Sequence, residues 1–278
     1  MMLRTSGEEW WEAPSRVALL LITGIVLGPQ VLDLLPRATV DLLAPLTPVA
    51  LSALGIFAVV HRSRRAMAEV LVILIPAALL VVVTPALHDG GPVATRAIRA
   101  LQTCGAAALI AGSGVMLLGE ATAIARRVYL LAMILLLGGI ADFVSAPALI
   151  AGFAGGCILS FLAPAVAQSI TPDLQYVTRP LVTALLLLVG ARFDVSEVTL
   201  MLAAAWLVAV VVLRRGTGSS LIGPGVYAVA AAVDVAQGLH GSLVPLVSAA
   251  TTAVVVVQAA LFFTATDAAI PLAAKGDA

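Results

Sequence analysis

The feature of this sequence that most constrains its fold is a succession of apolar runs, each about 20 residues long and almost free of charge. About 20 apolar residues are what an α-helix needs to cross the hydrocarbon core of a bilayer. Of the 278 residues, 62% are apolar and only 11% are charged, whereas roughly a quarter of the residues of a soluble domain are charged. The sequence therefore predicts an all-α, polytopic integral membrane protein.

Charged residues and clusters of proline and glycine divide the chain into ten predicted spans. They cover approximately residues 16 to 35, 39 to 60, 66 to 87, 98 to 118, 126 to 145, 147 to 167, 177 to 193, 197 to 213, 221 to 238 and 243 to 263. With a cytoplasmic N-terminus, eleven of the fifteen Lys and Arg residues fall inside and four outside. The positive-inside rule then places both termini in the cytoplasm. We expect one multi-pass transmembrane domain, residues 1 to 278, in the cell (inner) membrane.

Similar features recur at intervals of five spans. Spans one and six carry small-residue faces at Gly24 to Gly28 and at Gly152 to Gly156, which allow another helix to approach closely. Spans two and seven share prolines and one glycine each, Gly55 and Gly190. An odd offset reverses the direction of a helix in the membrane, so these matches predict an inverted repeat of five plus five spans. Its halves are residues 16 to 146 and 147 to 266.

The same offset relates two interruptions in otherwise apolar runs. Span four contains Gly112, Ser113 and Gly114, and span nine contains Gly223, Pro224 and Gly225. Glycine and proline release backbone groups from the helical ladder, and transporters bind their substrates at such breaks. We therefore predict two broken core helices that meet near the membrane midplane. The alternative is an ordinary kink or a notch for close packing.

Two carboxylates are candidates for ion or proton binding, since an acid inside the membrane is usually functional. Asp142 approaches the membrane interior if the fifth helix continues toward Ile150, and otherwise lies in the outer loop. Asp234 lies inside the ninth span. A buried carboxyl group can exchange a proton for a cation near neutral pH. Other acids, Asp173 among them, are expected in solvated segments at span ends, and Arg126 and Arg127 are expected to pair with Glu120.

Several functions are excluded by what the sequence lacks. There are equal numbers of basic and acidic residues, fifteen of each, so there is no basic excess to hold nucleic acid. The three histidines are not spaced as metal ligands, and no hydrolase, nucleotide or dinucleotide motif occurs. We expect neither an enzyme nor a bound metal or cofactor.

Parts of the chain resemble a known family. The segment ITGIVLGPQVLDLLP resembles the first conserved helix of bacterial monovalent cation/proton antiporters of the sodium/proton exchanger type. Val189, Gly190 and Asp194 match that family's V-G-x-x-x-D pattern, and GPGVYAVAAAVDVAQGLHGSLVPLVSAATTAVVVVQAAL is similar to its last two core helices. The resemblance covers about two-thirds of the chain. The chain departs from the family in being shorter and in lacking its adjacent acidic pair.

The resemblance implies a secondary transporter. In such a transporter a core domain would move against a panel domain and so exchange Na+ or K+ for H+. Two copies of the chain would form a homodimer. One alternative is a carrier like the bile-acid/sodium symporters, which would bind an organic anion and hold sodium through in-span groups such as Gln102, Thr103, Ser113 and Gln258. A further alternative is a degenerate relative that no longer transports and acts as a membrane scaffold or subunit.

Overall fold

The computed structural model of this chain describes residues 14–29, 31–61, 93–119, 121–144, 146–192 and 226–238. These residues form the helices α1 (Pro14–Leu27), α2 (Arg37–Leu42), α3 (Leu46–His61), α4 (Val93–Gly119), α5 (Ala123–Val144), α6 (Ala148–Leu162), α7 (Pro164–Ala191) and α8 (Val226–Gly238). They contain no β-strand, so the all-α prediction is confirmed for them. Among these described helices, three are long and apolar enough to cross a membrane: α4, α5 and α7. Predicted spans three, eight and ten lie outside the described residues.

The first predicted span is shorter than expected. Helix α1 ends at Leu27 rather than near residue 35, because Gly28 and Pro29 follow and proline disfavours a helical conformation in the residue before it. The chain then turns: the Gly28 carbonyl accepts a hydrogen bond from the Asp33 N–H at 3.0 Å. Asp33 has a φ of 50°, in the left-handed region that aspartate tolerates better than most residues.

Proline also decides where other helices begin. The second predicted span is divided into α2 and α3 at Pro45, which has no N–H to donate. Helix α6 ends at Leu162 and, after the single residue Ala163, α7 starts with Pro164, a position where the missing N–H would be unpaired anyway. From there α7 continues through Pro172 and Pro180. The gap between predicted spans six and seven, residues 168 to 176, is therefore helical, contrary to the predicted interruption, since prolines are tolerated inside membrane helices.

The chain divides into two compact units. The first consists of Met1–Arg37, Leu186–Val229 and Ser242–Ala278, and the second of Ala38–Leu185 and Ala230–Gly241. Each unit therefore draws on both halves of the sequence.

Helix α3 is the centre of the second unit. Every residue from Thr47 to Val59 is buried, as expected of a helix that is apolar on all sides. Helix α3 packs against α5 and α6, and α4 packs against the same two helices. The outer side of α4 exposes Leu101, Leu109 and Met116, a stripe of large apolar side chains that is compatible with contact to lipid.

In the first unit, α1 crosses α7 with backbone against backbone. A Cβ on Gly24 would overlap with the Leu187 carbonyl oxygen, and a Cβ on Gly28 would lie 3.0 Å from the Ala191 carbonyl oxygen. From the other side, a Cβ on Gly190 would lie 2.9 Å from the Cα of Gly24. A later residue on α1 contacts a later residue on α7, Gly24 with Leu187 and Gly28 with Ala191, so the two helices run parallel here.

In the second unit, α6 crosses α3 in the same manner. A Cβ on Gly152 would overlap with the Ser52 carbonyl oxygen, and a Cβ on Gly156 would lie 3.0 Å from the Ile56 carbonyl oxygen. A Cβ on Gly55 would lie 2.9 Å from the carbonyl carbon of Gly152. These helices also run parallel. Both predicted small-residue faces thus mediate close helix packing, as was expected.

The two crossings match residue by residue. Gly24 and Gly152 are 128 residues apart, as are Gly28 and Gly156, while Gly55 and Gly190 are 135 residues apart. The partners of these glycines are related by the same two offsets: Leu21 with Leu149, Ile25 with Phe153, Ser52 with Leu187, and Ile56 with Ala191. Helices α1 and α7 therefore meet in the register in which α6 and α3 meet.

Candidate functional site

The candidate site is built around Asp234 on α8. Its side chain is buried, with 5% of the residue exposed. The described buried neighbours along α8 are apolar, Val229 to Ala231 and Val233, or aromatic, Tyr227. An ionisable group in such surroundings is costly unless hydrogen bonds satisfy it.

The hydrogen bonds come from the start of α6. The Ala148 N–H donates to Asp234 Oδ1 at 2.8 Å, and the Leu149 N–H donates to Oδ2 at 3.2 Å. The first N–H groups of a helix have no partner within the helix. The residue that precedes α6 is Pro147, whose side chain makes no capping bond. Asp234, 85 residues away from Leu149 in sequence, therefore caps α6 in its place.

The electrostatics of this contact favour a negative group. The N-terminus of a helix carries roughly half a positive charge, and its N–H groups form charge-assisted bonds to a carboxylate. One carboxylate thus satisfies two orphan donors and is itself stabilised. The start of α6 and the charge of Asp234 are coupled through this contact.

The second predicted carboxylate, Asp142, has a different environment. Helix α5 ends at Val144 instead of continuing toward Ile150, so the condition for a position deep in the membrane is not met. The Asp142 side chain is exposed two residues before the helix end. Of the two predicted acids, the structure buries only Asp234.

The predicted break in the fourth span was wrong. Helix α4 is continuous from Val93 to Gly119 and passes through Gly112, Ser113 and Gly114. Glycine lowers helix stability by only about 1 kcal/mol, and the Ser113 hydroxyl donates to the Ile110 carbonyl of its own helix at 2.9 Å. A Cβ on Gly112 would meet no atom within 4 Å, so this glycine is not required for packing.

The other predicted break lies outside the described residues. Gly223, Pro224 and Gly225 immediately precede Val226, where α8 begins. Asp234 follows eight residues after that start, a little more than two helical turns.

A polar cluster that the sequence did not predict joins α5 and α7. Asp173 accepts hydrogen bonds from Arg126 Nε at 2.7 Å and from Arg127 Nε at 2.8 Å. Arg127 also lies over the ring of Tyr176, with its guanidinium carbon 5.2 Å from the ring centroid. The two arginines stand near the N-terminus of α5, where positive charge is unfavourable. The Asp173 carboxylate compensates both.

Asp173 was expected in a solvated segment, and that expectation was wrong. The residue is 4% exposed because α7 begins nine residues earlier, at Pro164. The signal that could have identified it is periodicity: Ile170, Asp173, Leu174 and Thr178 all lie on the buried face of α7, at helical spacing. Arg126 and Arg127 pair with Asp173, while Glu120 lies outside the described residues.

This cluster yields a graded stability prediction. The side chains of Asp173, Arg126 and Arg127 are 6%, 23% and 52% exposed. Removing a buried partner leaves the opposite charge uncompensated, whereas an exposed pair contributes little. We expect Asp173→Asn to cost about 2–3 kcal/mol, Arg127→Gln to cost the least of the three because its side chain is the most exposed, and Arg126→Gln to lie between them. The unfolding midpoint temperature in one detergent measures all three.

The control for this series is Asp142→Asn, which removes an exposed carboxylate from α5. It should leave the midpoint unchanged. If Asp173→Asn were as stable as this control, the cluster would contribute nothing to the fold.

The described residues contain no group of three or more His, Cys, Asp or Glu side chains that could hold a metal ion. Comparison with protein-family models, with curated proteins and with solved structures finds no match to this chain. Chemically, the contact between Asp234 and α6 can do one thing directly, which is to link a change of charge at a buried carboxyl group to the start of a helix.

Proposed function

We propose that this chain is a secondary active transporter of the cell membrane. It resembles the cation/proton antiporters and works by alternating access, with Asp234 as the ion- or proton-binding residue. The observation that carries the proposal is the matched pair of glycine crossings. Inverted-topology repeats are a common construction of secondary transporters, and the two crossings relate spans one and two to spans six and seven contact by contact.

The parallel direction of the crossing helices supports the same topology. Parallel neighbours in a bundle of successive spans are separated by an odd number of spans. The sequence predicts three spans between α3 and α6, and the structure describes two of them, α4 and α5. Because each crossing leaves no room even for a methyl group, we propose that its two helices stay packed together during transport, α1 with α7 and α3 with α6.

The surroundings of Asp234 support the transport proposal independently of the inverted repeat. Acids buried in membrane helices mark ion pathways and proton relays, and this carboxylate is bonded to another helix that its charge helps to hold. A change in its protonation would therefore alter the contact between two helices. That coupling between an ion and a helix position is what alternating access requires.

Flux in liposomes tests the proposal. The purified protein is reconstituted with a pH-sensitive dye inside the vesicles, and Na+, K+ or Li+ is added outside in turn. We expect a cation-dependent proton flux that protein-free liposomes lack. If neither a cation gradient nor a pH gradient produces a protein-dependent flux, the proposed function fails and the scaffold alternative stands.

Labelling of single cysteines tests the topology. His61→Cys and His240→Cys lie at the ends of predicted spans two and nine, so five-plus-five topology with cytoplasmic termini requires them to react from opposite sides of the membrane. A membrane-impermeant maleimide is added to sealed vesicles whose outer face is the outer face of the cell membrane. It should modify His240→Cys but spare His61→Cys until the vesicles are opened. Equal reaction from one side would contradict the inverted repeat.

The scaffold alternative is supported by one observation. Helix α4 is continuous, so the first half has no broken helix at Gly112 to Gly114. For the symporter alternative, the structure exposes Gln102 and Ser113, and Gln258 lies outside the described residues. Of the described candidates for sodium binding, only Thr103 is buried.

A further inference from the structure

We infer that the ion which Asp234 binds is the proton, and that no metal cation binds at this carboxylate. The inference rests on the proposed transport function and assigns the coupling ion at that site. It starts from the direction of the two hydrogen bonds. In the described part of the chain, the two hydrogen-bond partners of Asp234 are the N–H groups of Ala148 and Leu149, so both point hydrogen toward the carboxylate.

The position of Asp234 is electrostatically unfavourable for a metal cation. The N-terminus of α6 already carries roughly half a positive charge, and the two N–H groups occupy one face of the carboxylate. A metal cation would have to bind beside this positive end. Helix N-termini select anions for the same reason.

The described residues around Asp234 also offer few ligands for a metal cation. Hard cations are held by several oxygen atoms, yet Asp234 is the single carboxylate on α6 and α8, where the other ionisable side chains are Tyr227 and Cys157. Helix α5 ends just before α6, but its Ala141 carbonyl accepts the Ala146 N–H at 2.8 Å. In the part of the chain that the structure describes, Asp234 belongs to no group of three or more His, Cys, Asp or Glu side chains that could hold a metal ion.

A proton needs no further ligand. The bond from Leu149 to Oδ2 is the longer of the two, 3.2 Å against 2.8 Å to Oδ1. A proton taken from water onto Oδ2 forms a neutral carboxylic acid, while Oδ1 continues to accept from Ala148. Loss of that proton restores both bonds. The charged form of Asp234 therefore accepts two hydrogen bonds from the start of α6, and the protonated form accepts one.

Proton release from the purified full-length protein tests the metal part of the inference. In weakly buffered detergent solution with a pH dye, NaCl, KCl or choline chloride is added at equal ionic strength. A metal cation that displaced the proton of Asp234 would release up to about one proton per chain. We expect Na+ and K+ to release no more protons than choline. Metal-specific release that disappears in Asp234→Asn would overturn the inference, whereas release that persists in this variant places the metal elsewhere and supports it.

Infrared spectroscopy of the wild-type protein tests the proton part. We expect a carboxylic acid C=O band that grows as the pH falls, is absent from Asp234→Asn and does not respond to Na+. Asp33→Asn is the matched control, since Asp33 is exposed and its positive φ suits asparagine. Absence of any band that depends on Asp234 would overturn the inference.

The two proposals fail in different ways. If liposomes show no flux while the infrared band titrates and Na+ releases no protons, the transport proposal fails and the assignment of the proton to Asp234 holds. If flux is present but the band responds to Na+, the assignment fails and transport holds.

Discussion

Replacing Gly152 by alanine is expected to destabilise the protein more than any other single methyl group added to the described glycines. The new Cβ would overlap with the Ser52 carbonyl oxygen and lie 2.7 Å from both the Cα and the carbonyl carbon of Ser52. Overpacking usually costs about 1–3 kcal/mol. We expect a loss at or above the upper end, because the obstacle is the backbone of α3, which is enclosed on all sides.

Two other glycines provide controls for this prediction. A Cβ on Gly139 of α5 would meet no atom within 4 Å, and one on Gly155 of α6 would lie 3.2 Å from the flexible end of Leu137. The unfolding midpoint in detergent should fall steeply for Gly152→Ala, slightly for Gly155→Ala and not at all for Gly139→Ala. Equal midpoints for Gly152→Ala and Gly139→Ala would show that the crossing of α3 and α6 is looser than described.

Replacing Asp234 by asparagine is expected to abolish proton-dependent flux. Asparagine has nearly the same shape and its side-chain oxygen can still accept one N–H from α6, so the fold should survive. It cannot take up or release a proton near neutral pH. We expect the flux in liposomes to fall at least about tenfold, a loss equivalent to about 1.4 kcal/mol or more in the barrier.

Two carboxylates serve as comparisons for Asp234. Asp33→Asn removes an exposed charge and should retain wild-type flux, and Asp142→Asn should retain most of it because Asp142 is exposed near the end of α5. Unfolding midpoints should be measured on the same preparations. If Asp234→Asn folds and transports as the wild type does, the carboxylate is a structural cap of α6 and the site must be sought elsewhere.

The glycine faces show how far sequence reasoning extends into packing. Small residues at Gly24 and Gly28 and at Gly152 and Gly156 predicted close helix contacts, and the structure has them. The sequence did not indicate which helices meet there, since a small-residue face admits any partner. The break predicted at Gly112 to Gly114 was wrong for a related reason: glycine permits a break but does not enforce one when the helix can keep its hydrogen bonds.

What the sequence by itself determined is the class of structure. Long runs without charge allow only helices, because a backbone surrounded by apolar material must satisfy its own hydrogen bonds within each segment. That requirement is local, and it can be read from about 20 consecutive residues. Which groups hold the buried acids was decided by tertiary structure alone. Asp173 is held by two arginines nearly fifty residues away in the chain, and Asp234 is held by amides more than eighty residues away. No local pattern encodes such partners, because the free energy that permits a buried charge comes from groups that only the folded chain brings to it.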